Sequence, residues 1–298
     1  MSETTHMERE LGSQPETWRA AARLAGEAPL PSAGERVAVV GCGTSWFIAQ
    51  AYAALREGAG AGVTDAFAAS EARLGEARGY DRVVAVTRSG TTTEVLRLLE
   101  GVRGRIPAVT VIGDPDTPAT GLSPETVALP FADERSVVQT RFATSALALF
   151  RAHLGEETEG AARDAEEALS AGIPQEWVEA EQFTFLGTDW SVGLAHEAAL
   201  KMREASQSWT ESYPAMEYRH GPISIAAPGR VTWLFGPAPE GLDREVARTG
   251  GLFVHHEGRD PMAELVLVQR VALARARARG LDPDAPRALT RSVMLDEN

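Results

Sequence analysis

Along the first half of the chain, short β-branched apolar runs alternate with stretches whose apolar residues recur every three or four positions. The runs at 36–41 (RVAVVG), 62–68 (GVTDAFA), 82–87 (RVVAVT), 108–113 (AVTVIG) and 126–131 (TVALPF) predict five strands, each followed by a helix or turn. That rhythm predicts an α/β unit, a mostly parallel sheet flanked by helices. A helical spacing over 136–154 follows, and the acidic, alanine-rich 155–174 reads as a solvated connection and helix. The pattern then restarts with strands at 183–188, 231–236 and 251–256 and helices near 192–207 and 262–279. We therefore expect two domains, 1–165 and 166–298, the second smaller and with fewer strands.

At 298 residues the chain is long enough for two cores of ordinary size. With 44% hydrophobic and 24% charged residues it is globular in composition, and no apolar run nears the ~20 residues of a membrane span. The opening MSETTHMERE lacks the apolar segment of a signal peptide, so a cytoplasmic protein without membrane attachment is expected. The single cysteine, Cys42, excludes an internal disulfide and a cysteine zinc cage. A net charge of −13, from 29 basic and 42 acidic residues, opposes nucleic-acid binding but leaves room for a local anion site.

In open parallel sheets ligands bind beyond the carboxyl ends of the strands, where loops lead into helix starts. The first such loop, GCGTSW, carries Gly41, Gly43, Thr44 and Ser45; the third, TRSGTTTEVL, carries Thr87, Arg88, Ser89, Thr91, Thr92 and Thr93. Hydroxyls and backbone N–H groups at a helix start suit a phosphate. Ser and Thr are also ordinary helix caps, but two hydroxyl-rich loops at neighbouring strand ends would line one crevice. A dinucleotide site fits poorly because Trp46 replaces the third glycine of G-x-G-x-x-G, and there is no P-loop.

In the second half, Glu197, Lys201 and Glu204 fall at offsets of four and three and share a helix face, which also suits a surface salt-bridge ladder. His196 and Glu197 do not make a metalloprotease motif, since Leu200 stands where the second histidine belongs. His220 precedes a Gly-Pro break, and the adjacent His255 and His256 would point to opposite faces of a strand.

These motifs, in the order GCGTSWFIA, TRSGTTTEVL, ERSVVQTRFATS, EAALKMREASQSWTESYPAMEYRHGP and PRALTRSVML, resemble the sugar isomerase (SIS) superfamily, most of all the isomerase half of glutamine–fructose-6-phosphate aminotransferase. The resemblance covers nearly the whole chain and implies two tandem SIS domains. It assigns Ser45, Thr87, Ser89 and Thr92 to the phosphate of a sugar phosphate, with Thr44 and Arg88 adjacent, and Val137, Gln139 and Lys201 to the sugar pocket. Glu204 matches the carboxylate that moves a proton between C1 and C2, and His220 a ring-opening histidine supplied by the second subunit of a homodimer.

Three departures stand out. The glutaminase domain and its nucleophilic cysteine are missing, so the chain is not expected to draw ammonia from glutamine. Arg88 replaces a glutamine, and Arg291 replaces an imine-forming lysine; a guanidinium is no nucleophile, so Arg291 is expected to stabilise an enediolate instead. The second domain is also short of a strand. No metal or nucleotide cofactor is implied. The expected function is a phosphosugar isomerase or deaminase, with a non-catalytic sugar-phosphate sensor as the alternative.

Overall fold

The computed structural model of the chain describes residues 4–295. These fold as two compact units. The first comprises Glu16–Arg135, Gln139–Thr158 and the C-terminal residues from Thr290; the second comprises the residues up to Pro15, Ser136–Val138 and Glu159–Leu289. The first helix, α1 (His6–Gly12), thus counts with the second unit, while most of α2 (Gln14–Arg23) counts with the first.

The first unit is built on β1 (Val37–Gly41), β2 (Thr64–Ala68), β3 (Arg82–Thr87), β4 (Ala108–Ile112) and β5 (Glu125–Ala128). All pair in parallel, in the order β2-β1-β3-β4-β5. The connecting helices are α3 (Thr44–Gly58), α4 (Thr93–Val102) and α5 (Pro118–Leu122), and α6 (Arg141–His153) follows β5. Both faces of the sheet are covered, which is why its central strands are apolar at every position rather than alternately. On one face Ala38, Val40, Val83 and Ala85 pack with Val95 and Leu99 of α4. Their neighbours Val37, Val39, Val84 and Val86 are equally buried on the other. From β1 the chain crosses to β2 on one side and then to β3 on the other. Right-handed crossovers in opposite directions leave a crevice between the carboxyl ends of β1 and β3.

The second unit holds α7 (Glu159–Ser170), α8 (Gln175–Glu179), β6 (Gln182–Gly187), α9 (Ser191–Ser206), β7 (Trp209–Pro214), β8 (Arg230–Phe235), α10 (Leu242–Arg248), β9 (Leu252–Val254) and α11 (Pro261–Ala278). Its four strands are parallel, in the order β7-β6-β8-β9. Helix α11 packs against α9, α7 and α1, and Arg275 on it lies over Phe183 at 4.8 Å. Burial lowers the pKa of that guanidinium to about 10, and the carbonyls of Trp177 and Val178 accept its protons.

Two elements differ from expectation. Strand β7 has no apolar run: WTESYP is polar because it lies at the sheet edge, with Trp209 half exposed. Helix α6 starts at Arg141, not 136, because 136–140 form an irregular loop whose carboxylate neighbour caps the helix. Among the described residues, no helix is long and apolar enough to cross a membrane.

Candidate functional site

The crevice of the first unit is lined by the two hydroxyl-rich loops. Thr44 and Ser45 open α3, and Thr87, Arg88 and Ser89 leave β3; all five are buried. Within the second loop the Thr87 hydroxyl accepts from the Gly90 N–H at 3.2 Å, and the Ser89 hydroxyl accepts from the Thr91 N–H at 3.3 Å. Thr92 occupies the cap position of α4 in an extended conformation, yet its side chain makes no capping hydrogen bond. The cap of α3 is Gly43, which has no side chain to offer. These hydroxyls are therefore not explained as helix caps. Two helix starts converge on the switch point without a side-chain acceptor, the arrangement an anion favours.

Cys42, half buried between the two glycines of the first loop, has its thiol pKa pushed up to about 11 by burial and by nearby Glu94. Helix α6 differs from α3 and α4 because the chain supplies its anion. Buried Glu134 accepts from the N–H groups of Thr140 (2.6 Å), Arg141 (3.0 Å) and Phe142 (3.2 Å) and from the Thr140 hydroxyl (2.7 Å). The sequence reading missed this role, because Glu134 stands six residues before Thr140 and seven before Arg141, outside the spacing of a helix cap. Gln139, half buried, follows in the first unit with its amide oxygen unpaired, whereas half-buried Val137 lies in the stretch counted with the second.

Residues 291–293 lie along the β3–α4 loop. Arg88 donates to the Arg291 carbonyl at 2.7 Å, the Thr91 hydroxyl donates to Ser292 at 2.9 Å, and the Thr93 N–H donates to the Val293 carbonyl at 3.1 Å. The Arg291 guanidinium turns to Asp133, meeting both carboxylate oxygens at 2.7 and 2.9 Å, and also donates to the Glu134 carbonyl.

In the second unit, α9 presents Glu197, Lys201 and Glu204 on one face, but the face is not a surface ladder. Lys201 and Glu197 are fully buried and the Glu204 side chain is 17% exposed. The ammonium lies 3.5 Å from Glu197 Oε1 and bonds directly to Glu204 Oε2. A lysine buried between two carboxylates avoids the large penalty of an isolated charge and leaves Glu204 as the carboxylate that reaches solvent. His196 bonds Ser212 at 2.9 Å, and burial together with Arg203 holds its pKa below the ordinary histidine value. His220 ends a 3₁₀ turn, Glu217–His220, and is exposed, while Tyr218 beside it is buried and bonded to Thr232. His255 and His256 part company: one meets the Gly236 carbonyl at 3.0 Å, the other Glu264 at 2.8 Å.

The second sheet has its own switch point between β6 and β8, but there the hydroxyls are occupied by the chain. Ser191 donates to the carbonyls of Thr188 (2.7 Å) and Phe235 (2.9 Å), and Thr188 reaches those of Phe235 (3.5 Å) and Pro237 (3.4 Å). Among the described residues, no cluster of three or more His, Cys, Asp or Glu side chains could hold a metal ion.

No family model matches the chain. A glutamine–fructose-6-phosphate aminotransferase (isomerizing) of Nostoc sp. is 27% identical across 94% of this chain and 55% of its own length. The chain spans about half the length of the curated relatives it matches. The glucosamine-6-phosphate deaminase of Thermotoga maritima superposes with a TM-score of 0.82 at 22% identity, covering 98% of this chain and 100% of that one. Tagatose-6-phosphate ketose/aldose isomerase of Escherichia coli superposes with a TM-score of 0.78 at 17% identity, covering 99% and 98%. The chain is thus similar to about half the length of glutamine–fructose-6-phosphate aminotransferases, and its fold is the one found in a glucosamine-6-phosphate deaminase and a tagatose-6-phosphate ketose/aldose isomerase.

Proposed function

We propose that this chain binds a phosphorylated ketose or amino sugar and isomerises or deaminates it, working in the cytoplasm as a homodimer of chains that each carry two tandem SIS domains. The observation that carries the reading is the β3–α4 loop, where Thr87, Ser89 and Thr92 surround a helix start that no side chain caps. A phosphate there gains hydroxyl donors, backbone donors and the helix dipole together. Ser45 and Thr44 at the start of α3 complete the anion site, with Arg88 beside it; the resemblance assigns Val137 and Gln139 to a sugar pocket.

The open-chain form of such a sugar has acidic C–H bonds on the carbons next to its carbonyl. Glu204 takes a proton from the carbon beside the carbonyl and returns it to the neighbouring one, so that C1 and C2 exchange oxidation state through an enediol or enolamine; with an amino sugar this yields an imine at C2, which water hydrolyses to the ketose and ammonia. Lys201, buried and bonded to Glu204, orients the carboxylate that acts as the base. His220, exposed on its own chain, completes the second copy's pocket and assists ring opening. The sequence expectation for Arg291 is that it stabilises the enediolate; with its guanidinium engaged by Asp133 and the Glu134 carbonyl, the part proposed for it is a wall of the anion site.

The test is incubation of the purified chain with fructose 6-phosphate, glucosamine 6-phosphate and tagatose 6-phosphate in deuterated water. Deuterium at C1 or C2 of at least one sugar, with ammonia release if an amino sugar reacts, is the expected result. Binding without any exchange across the panel would rule out the catalytic reading.

A further inference from the structure

Arg291 belongs to two contacts at once. Its side chain grips Asp133, 158 residues earlier, through both carboxylate oxygens, and its main-chain carbonyl accepts from Arg88 in the β3–α4 loop. Beyond it the tail runs along the start of α4: Thr93 N–H to the Val293 carbonyl at 3.1 Å, and Leu295 N–H to the Thr93 hydroxyl at 2.9 Å. Apolar burial does not hold this segment in place. Val293, Met294 and Leu295 are 52%, 71% and 50% exposed, so the tail is retained by polar contacts.

Among those contacts the Asp133–Arg291 pair has both ends fixed. The Asp133 carbonyl is gripped by the Arg141 guanidinium, with Nε at 3.2 Å, and the second arm of Arg291 bonds the Glu134 carbonyl. An isolated surface ion pair contributes little because two mobile side chains must be ordered; a forked pair with both partners already anchored avoids much of that loss.

We propose that Asp133 is a positioning residue: it clasps Arg291 and thereby holds 291–295 as a wall over the β3–α4 loop, making sugar-phosphate affinity depend on a carboxylate that touches no substrate. The functional half of this inference rests on the sugar-phosphate reading above; the clasp itself does not.

Amide hydrogen exchange on the ligand-free chain tests the clasp, and calorimetry with fructose 6-phosphate tests its effect. In Asp133→Asn, and separately in Arg291→Ala, the Thr93 and Leu295 amides should exchange about tenfold faster while those of β3 are unchanged, as expected for local opening. Fructose 6-phosphate should bind about fivefold more weakly, and the swap Asp133→Arg with Arg291→Asp should restore both values toward wild type. Unchanged exchange at Thr93 and Leu295 in both single variants would overturn the clasp. Opened exchange with unaltered fructose 6-phosphate affinity would overturn the wall. Failure of the wild type to bind fructose 6-phosphate, glucosamine 6-phosphate or inorganic phosphate would remove the sugar-phosphate reading, and the exchange data would still decide the clasp.

Discussion

Gly90 and Thr117 are packed so closely that a Cβ added to the glycine would lie 1.9 Å from the threonine hydroxyl and 2.7 Å from Ile112 Cδ1. The threonine has no easy retreat, since its hydroxyl bonds the Asp114 carbonyl at 2.8 Å. Gly90 also has φ +62°, which other residues adopt at a penalty of ~1–2 kcal/mol. Gly90→Ala should therefore lower stability by about 2–4 kcal/mol, combining strain and overpacking. Gly104→Ala, with a similar φ of +72° but nothing within 4 Å, isolates the strain. Equal melting temperatures for the two variants would contradict the steric account.

Ser89 and Thr92 have different structural duties, so their substitutions should separate. Ser89→Ala removes the acceptor of the Thr91 N–H and should cost about 0.5–1.5 kcal/mol of stability. Thr92→Ala removes no capping bond and should leave stability within ~0.5 kcal/mol. Together they should weaken fructose 6-phosphate by at least ~tenfold, because each hydroxyl would face a charged group. An unaltered dissociation constant in a folded double variant would mean that no phosphate sits there.

For Glu204 the prediction concerns turnover. Glu204→Gln keeps the shape and loses the basicity, so substrate should still bind while turnover drops ~100-fold or more. Solvent deuterium exchange at C1 or C2 reads the step directly. Persistent exchange in the variant would take Glu204 out of the mechanism.

His220 is predicted to act in trans. Mixing His220→Ala chains with Glu204→Gln chains should then regenerate one intact site per mixed dimer and recover part of the activity lost by both parents. Heterodimers confirmed by native mass spectrometry but still inactive would argue that the histidine works within its own chain or only in the fold.

His196 should make the fold sensitive to mild acid. Burial and Arg203 lower its pKa in the folded chain, so the unfolded chain takes up the proton first as pH falls. Its stabilising contribution is present above the ordinary histidine value of ~6.5 and is lost as pH drops through that value to the lowered one. Urea midpoints between about pH 7.5 and 5.5 should fall less in His196→Gln than in the wild type. Parallel slopes would show that the histidine is not responsible.

The parts of this molecule legible in the sequence are those encoded by neighbours along the chain. Strands β1, β3 and β4 announce themselves because covered sheets need apolar residues at every position, and the hydroxyl loops lie where those runs stop. Strand β7 was hidden because an edge strand need not be apolar, and Trp209-Thr210-Glu211-Ser212 carries no run. The start of α6 was misjudged because Val137 and Val138 continue the helical spacing, while Glu134 settles where the helix begins. Spacing placed Lys201 between two carboxylates but not their burial, which depends on what covers the helix. Asp133 was invisible because nothing local links it to an arginine in the tail.

The buried thiol of Cys42 has a bearing on what the loop can tolerate. Open-chain sugars expose aldehydes and ketones, which thiolates capture as hemithioacetals. With a pKa of about 11, only about one Cys42 in ten thousand is ionised at neutral pH. The sulfur in the first loop of the crevice is thus a thiol and not a thiolate, a weak nucleophile toward any carbonyl that enters.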